Sequence, residues 1–427
     1  MKTPNLARMA SQGIRAVMGY SPSAICAPSR ASIFLERHVG VVDCIRGNAV
    51  SEVNEMLPIP GTLQFVSELQ RAGYRTGYFG KWGLGVIQGG PWNHGFDTYA
   101  GQLYHIEAHT YFPDSYHQFN LGDVAPRIVS DLDQFKVTIP ANVDSNRQSW
   151  QAFFTFIAPT YPHAGKYNSN DKNAIRIAPA KWISPDRINQ KPLVMRGHAS
   201  QIEQSMDMHV GQVLDYLESN STLNTNTLFI FTSDNGANME PPFHKSIYSP
   251  TNGLRGAKRN LYEGGIRIPV ILRWPSVFPA STVSATPFVL YDLGPTIREI
   301  ARLPSAPTNT STGKPTLSVS MYNVWRTLND TTLNRPFMQF EMCGLPGKDL
   351  QCKMAILDLR TWQAKGKLFK LQQFPGQGKR KELFDLRTNP KESSQIKNNK
   401  QVVSELNKIK DQNRSPFNNV CVLAPQV

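Results

Sequence analysis

The stretch Cys26-Ala27-Pro28-Ser29-Arg30 puts a thiol and a fixed positive charge close together. Pro28 and Ser29 favour a tight turn, and Ser29 to Leu35 reads as a helix start with a hydroxyl residue and an arginine in its first turn. A helix N-terminus beside an arginine is suited to an anion, because its first N–H groups lack helical partners and the helix dipole adds to the charge. Two chemistries fit: a thiolate nucleophile or an anion cradle. Cys26 in isolation would be a buried structural thiol, the commoner fate of a lone cysteine. Likewise Asp234-Asn235-Gly236 alone would be an ordinary turn and His163 alone a surface imidazole.

The elements around these residues give them a common place. Residues 4 to 18 read as a helix after Pro4, residues 63 to 72 as a helix closed by Gly73, and residues 199 to 218 as a long helix with Ile202, Met206, His209, Val210 and Leu214 on one face. A short strand is expected over 74 to 79, and apolar strands over 150 to 158, 227 to 232 and 270 to 274. Such strands alternating with amphipathic helices indicate an α/β fold with a parallel sheet covered by helices on both faces. Ligands on these sheets sit beyond the carboxyl ends of strands. His163, Asp234 and Asn235 all fall just after strands. A Pro/Ser/Thr-rich connection over 304 to 316 separates a domain of residues 1–303 from a smaller one, 304–427. The short alternating runs at 337 to 341, 354 to 359, 368 to 372 and 382 to 386 predict a small antiparallel sheet, followed by a helix over 400 to 410.

The bulk properties narrow the partners. A chain of 427 residues with 40% hydrophobic residues is globular. The net charge of +14 favours anionic partners, but much of the excess lies between Lys365 and Lys381 and between Lys391 and Lys410. No zinc-finger, basic-zipper or RNA-binding signature accompanies it, so nucleic acid is not expected. No apolar run is long enough for a membrane helix. Of the five cysteines, none forms a C-x-x-C pair, and Cys343 and Cys352 are close enough to be bridged in an oxidising compartment. Sequons begin at Asn220, Asn309, Asn329 and Asn413, which permit glycosylation if the chain is a secreted glycoprotein. No signal peptide precedes the first helix.

The ordered motifs resemble the sulfatases of the alkaline-phosphatase superfamily, in particular the arylsulfatase and galactosamine-sulfatase branch. Cys26-Ala-Pro-Ser-Arg30 resembles the C-x-P-S-R signature, and Thr3-Pro-Asn-Leu-Ala-Arg-Met-Ala10 the TPNLDRLA helix. Gly80-Lys81-Trp82-Gly83-Leu84-Gly85 is similar to GKWHLG, and His94-Gly-Phe-Asp97 and Ala108-His109-Thr-Tyr-Phe-Pro113 to further segments of that branch. Ala158-Pro-Thr-Tyr-Pro-His163, Thr232-Ser-Asp-Asn-Gly236, Gly253-Leu-Arg-Gly-Ala-Lys258 with Tyr262-Glu-Gly-Gly265, and Glu382-Leu-Phe-Asp-Leu386 with Asn389-Pro-Lys-Glu392 complete the order.

The resemblance implies an alkaline-phosphatase-like α/β fold, with a mixed, mainly parallel sheet sandwiched by helices, and hydrolysis of sulfate esters of a carbohydrate or aryl alcohol. It implies that a formylglycine-generating enzyme converts Cys26 to formylglycine, whose hydrate is the nucleophile, and that Arg30 orients it. Lys81 and Lys258 would bind the sulfate oxygens, His163 would assist proton transfer at the leaving group, and His109 would lie near the substrate. Asp234, Asn235 and the residue at Cys26 would ligate Ca²⁺. Location would be secreted, lysosomal or periplasmic. The chain also departs from the pattern. The family's first strand, ending in two metal-binding aspartates, would precede Thr3, which implies an N-terminally truncated chain and an incomplete calcium ligand set. Gly83 stands where the family has an active-site histidine, Leu35 and Glu36 replace the Thr-Gly after the cysteine motif, and Ala7 replaces an aspartate. Two rivals follow: a related phosphoesterase, and an inactive paralogue that binds sulfated glycans.

Overall fold

In the computed structural model the described residues are 2–42, 47–48, 64–85, 90–104, 115–129, 143–144, 149–163, 201–238, 251–306, 308, 313–329, 333, 335–343, 352–360, 362, 366–375, 380–397 and 399–414. Thirteen strands carry the architecture: β1 (Ile14–Ala16), β2 (Arg75–Gly80), β3 (Thr98–Gly101), β4 (Tyr116–Asn120), β5 (Arg127–Val129), β6 (Phe153–Ala158), β7 (Phe229–Thr232), β8 (Val270–Arg273), β9 (Thr282–Ser284), β10 (Phe337–Cys343), β11 (Cys352–Asp358), β12 (Phe369–Gln373) and β13 (Lys381–Asp385).

These strands form three sheets. One has five strands in the order β5-β4-β3-β2-β6, and a second has four in the order β7-β8-β1-β9. At the centre of the first, β2 runs parallel to both β3 and β6, so Gly80 pairs with Ala158 at the site end. The outer ladders β3–β4 and β4–β5 are antiparallel. Strands β6 and β7 are edge strands of their sheets and line one shared cavity, into which their Phe and Ile side chains stay half-exposed.

The helix expected over residues 4 to 18 ends at Ser11 (α1, Pro4–Ser11). Residues 14 to 16 instead pair with β8, and their burial alternates buried, exposed, buried, the period of a strand. Gly13 passes so close to β8 that an added Cβ would lie 2.0 Å from the Leu272 carbonyl oxygen, which leaves no room for a helical side chain. The other expected elements occur within a few residues of their predicted bounds. The 199–218 helix begins as a π-type segment, Gln201–Asp207, before α-helix Met208–Glu218.

Helix α2 (Cys26–Leu35) is buried along nearly its whole length. Phe34 anchors it to the five-stranded sheet through ring contacts with Phe156 at 5.0 Å, Phe96 at 5.9 Å and both Tyr78 and Trp82 at 6.1 Å. Each such pair contributes about 0.5–1.5 kcal/mol beyond its buried area. Glu36 ends the helix in the left-handed conformation, φ 55°. Its carboxylate is buried and accepts from Arg298 Nε at 2.7 Å and Nη2 at 2.9 Å, while Arg298 also binds Glu68. The negative charge of Glu36 is therefore paired within the fold.

The third sheet, β10-β11-β12-β13, is wholly antiparallel. One face shares a hydrophobic cluster with Tyr20, Ile25, Tyr262 and Ile266 of the first 303 residues, and the other carries helix Lys400–Gln412 through Leu406. Cys343 and Cys352 face each other across β10 and β11 and are disulfide-bonded.

Two consequences for stability follow. Glu36→Gly relieves a left-handed backbone, worth about 1 kcal/mol, but strips a buried carboxylate from Arg298, which costs about 3 kcal/mol or more. Denaturant unfolding should show a net loss of about 2 kcal/mol. His94 is fully buried beside Trp82, with no partner for either ring nitrogen among the described residues, and burial pushes its pKa down to about 4. Its neutral form is favoured, so the stability it contributes is present above pH 6.5 and is lost as pH falls from 6.5 through 4. That loss amounts to about 3 kcal/mol at the acid end. His94→Phe should flatten the dependence of unfolding free energy on pH in that window, relative to wild type.

Candidate active site

A cavity of about 2100 Å³ gathers seven of the sequence-predicted residues: Cys26, Arg30, Lys81, His163, Asp234, Asn235 and Lys258. The eighth, His109, lies outside the described residues. Cys26 is the first residue of α2, and its Sγ lies 3.4 Å from Asn235 Oδ1. The helix start has few backbone donors to satisfy. Pro28 has no N–H, and the amide of Ala27 donates to Asn48 Oδ1 at 3.1 Å.

Arg30 is 3% exposed, and its guanidinium ties α2 to the end of β2. Nη1 donates to the Trp82 carbonyl at 2.7 Å, and Nη2 contacts the Lys81 carbonyl and the Tyr78 hydroxyl. A planar fork can bind several acceptors at once, which lysine cannot reproduce. Gly80, at φ 103°, supplies the turn that precedes Lys81; an added Cβ there would lie 2.2 Å from the Ala158 oxygen. Gly83 is also left-handed, at φ 67°.

Lys258 and His163 reach the cavity from different segments and meet: Nζ and Nε2 are 2.6 Å apart. An ammonium donating to Nε2 places the imidazole proton on Nδ1. Sequence reasoning gave no role to three side chains near this pair and the nucleophile. Tyr161, two residues before His163, is hydrogen-bonded to His209 Nδ1 from the long helix, and both line the cavity. Tyr78 sits beneath Arg30, with its hydroxyl donating to the Lys81 carbonyl. The strand over 74 to 79 and the apolar face of helix 199 to 218 were legible, but pairings between distant segments were not.

The electrostatics are one-sided. Among the described charged residues lining the cavity, Arg15, Arg30, Lys81 and Lys258 stand against a single carboxylate, Asp234, while Arg267 is paired with Glu263 behind the wall. Burial pushes the Lys81 ammonium below its usual range; Arg30 and Lys258 push the same way, opposed by Cys26 and Asp234. Burial raises the Tyr78 hydroxyl. Such a wall favours an anionic ligand, which relieves the mutual repulsion of the cations.

Asp234 and Asn235 are hard oxygen donors, but Ca²⁺ takes roughly six to eight oxygens and a thiol is a poor match for it. The described residues therefore do not make up a calcium site, and the chemistry below is derived without one. Among them, the one cluster of His, Cys, Asp and Glu with metal-ligating separations is Glu341, Cys343 and Cys352, whose cysteines are bonded to each other.

Comparison with known proteins adds family membership. The family described as Sulfatase matches residues 1–303. Human arylsulfatase G (Homo sapiens) is 30% identical over 323 residues, covering 70% of this chain and 60% of that protein. Arylsulfatase H of Homo sapiens is 26% identical over 369 residues, covering 70% and 64%. N-acetylgalactosamine-6-sulfatase of Mus musculus is 27% identical over 332 residues, covering 71% and 58%. The chain thus spans about three fifths of the length of these curated relatives. Among solved structures, Ps i-CgsB in complex with k-i-k-neocarrahexaose superposes with a TM-score of 0.69 at 21% identity, covering 98% of this chain and 90% of that one. A structure solved in complex with its substrate D-glucosamine-2-N,6-O-disulfate gives 0.62 at 18% identity, covering 97% and 92%.

Proposed function

Because this chain belongs to the sulfatase family, we propose that it hydrolyses sulfate esters of a carbohydrate or aryl alcohol, using a formylglycine made from Cys26 by a formylglycine-generating enzyme. The observation that carries this reading is the convergence of Cys26 with Arg30, Lys81, Lys258 and His163 on one cation-rich cavity. The whole reaction joins water to the ester, R–O–SO₃⁻, and yields the alcohol and sulfate.

The formylglycine, when present, supplies a hydrated-aldehyde oxygen to attack sulfur. The chain's own residues do the rest. Lys81 and Lys258 hold the sulfate oxygens and offset the charge that shifts onto them as the S–O bond to the alcohol breaks. The departing oxygen takes a proton from the Lys258–His163 pair, which holds one between Nζ and Nε2. Arg30 fixes the nucleophile's helix to the Lys81 backbone, so that attacking atom and binding cation keep one geometry. Residues 1–303 would form the catalytic domain and 304–427 an accessory one. The Cys343–Cys352 disulfide supports a secreted, lysosomal or periplasmic location.

Purified protein should turn over 4-nitrocatechol sulfate in preference to 4-nitrophenyl phosphate. Lys258→Met should lower kcat/KM by about 10²–10³-fold, and the Cys26 peptide should show by mass spectrometry the exchange of sulfur for oxygen with loss of two hydrogens. A preference for phosphate would move the chain to a phosphoesterase role. An unmodified thiol from a competent host, with heparin binding but no turnover, would leave only the glycan-binding reading.

A further inference from the structure

The loops bearing Asn235 and Lys258 are held by a knot of glycine backbone. The Gly236 amide donates to the Gly265 carbonyl at 2.9 Å, the Lys258 amide to Ala237 at 2.9 Å, and the Gly264 amide to Arg255 at 2.8 Å. An added Cβ on Gly236 would lie 2.2 Å from the Gly264 oxygen, and one on Gly264 2.3 Å from the Gly256 oxygen. Nothing larger than hydrogen fits between these segments, so a shift of residues 263 to 265 is passed on to Gly236 and its neighbour Asn235. Asn235 in turn contacts the Cys26 thiol.

What fixes residues 263 to 265 comes from the C-terminal sheet. Lys370 of β12 is 1% exposed and lies between two fully buried carboxylates, 2.8 Å from Glu263 Oε1 and 3.0 Å from Glu392 Oε1. The Glu263 amide donates to Glu392 Oε2 at 2.7 Å, and Glu263 Oε2 accepts from the Tyr20 hydroxyl at 3.0 Å. Arg267 completes the group, so two cations balance two anions in the core. A charge this deeply buried has one low-energy place, beside its partners. Lys370 touches neither the cavity nor Cys26.

We propose that Lys370 is a positioning residue of the anion site: by bridging Glu263 and Glu392 it fixes the glycine knot that sets Asn235 and Lys258, making the C-terminal sheet part of the site's machinery. Its turnover arm rests on the sulfate-ester reading, whereas its geometric arm does not.

The full chain carrying Lys370→Met, Lys370→Arg or Leu406→Ala is compared with wild type. Leu406 packs on the opposite face of the same sheet, and its loss weakens that sheet without touching Glu263. Protein made without conversion of Cys26 is alkylated with iodoacetamide, and the rate at Cys26 is followed by mass spectrometry. Converted protein is assayed on 4-nitrocatechol sulfate. Lys370→Met should change the Cys26 alkylation rate about threefold or more and lower kcat about tenfold with KM within about twofold of wild type. Lys370→Arg should recover most of both, and Leu406→Ala should lower Tm while leaving both in place. An unchanged alkylation rate in Lys370→Met, or equal effects from Leu406→Ala, overturns the proposal. If wild type shows no turnover but the alkylation rates divide as stated, the sulfate-ester reading fails and the positioning role stands. Should Lys370→Met not fold, Glu392→Gln, which removes the second charge on Lys370, is held to the same outcomes.

Discussion

Holding Arg30, Lys81 and Lys258 around one cavity is the constraint on which the rest of the site depends. Like charges brought together in a poorly solvated place repel, and each must be fixed by something other than water. Arg30 spends its donors on the Lys81 and Trp82 carbonyls and the Tyr78 hydroxyl. Lys258 donates to His163. Burial lowers the proton affinity of Lys81, with Arg30 and Lys258 adding to the effect and Cys26 and Asp234 opposing it. On the proposed function, a sulfate ester would answer the same constraint from outside, since its oxygens spread negative charge where the cations converge.

Keeping those cations in place explains features that look unrelated to chemistry. The aromatic cluster around Phe34 seats α2, and with it Cys26 and Arg30, on the five-stranded sheet. The left-handed turns at Gly80 and Gly83 bracket Lys81 and Trp82. Even Glu36, unusual at a position where the family has glycine, sits left-handed, as glycine readily does, and is matched by Arg298. The Leu35-Glu36 departure is an internally consistent piece of the fold, rather than a scar.

Much of this was legible in the sequence, for a physical reason. Long periodic segments such as 199 to 218, and apolar runs ending in Ser233-Asp234-Asn235-Gly236, carry their own structure in local pattern. The small antiparallel sheet was likewise readable from its alternation at 337 to 386. Residues 14 to 16 were misassigned because three residues of alternating burial are too few to compete with the helical pattern before them, and only β8 makes them a strand. The Tyr161–His209 contact, the Arg30–Lys81 tether and the Lys370–Glu263 pair join residues 48, 51 and 107 positions apart. No local periodicity records such pairings; they exist only once the sheets have formed.

The same distinction bears on what Cys26 means. Its motif identifies ancestry because the turn, the proline and the arginine are local. Reactivity is not local. It depends on Asn235 lying against Sγ, on Lys81 being held by a tethered backbone, and on a glycine knot clamped from a sheet more than a hundred residues further along the chain. A sulfatase signature can therefore persist in sequence while its chemistry is lost through a residue such as Lys370 that never meets the substrate. Conversely, departures close to the motif, as at Glu36, are absorbed when the surrounding charges are rebalanced. The anion site belongs to the packed charges around the signature as much as to the signature itself.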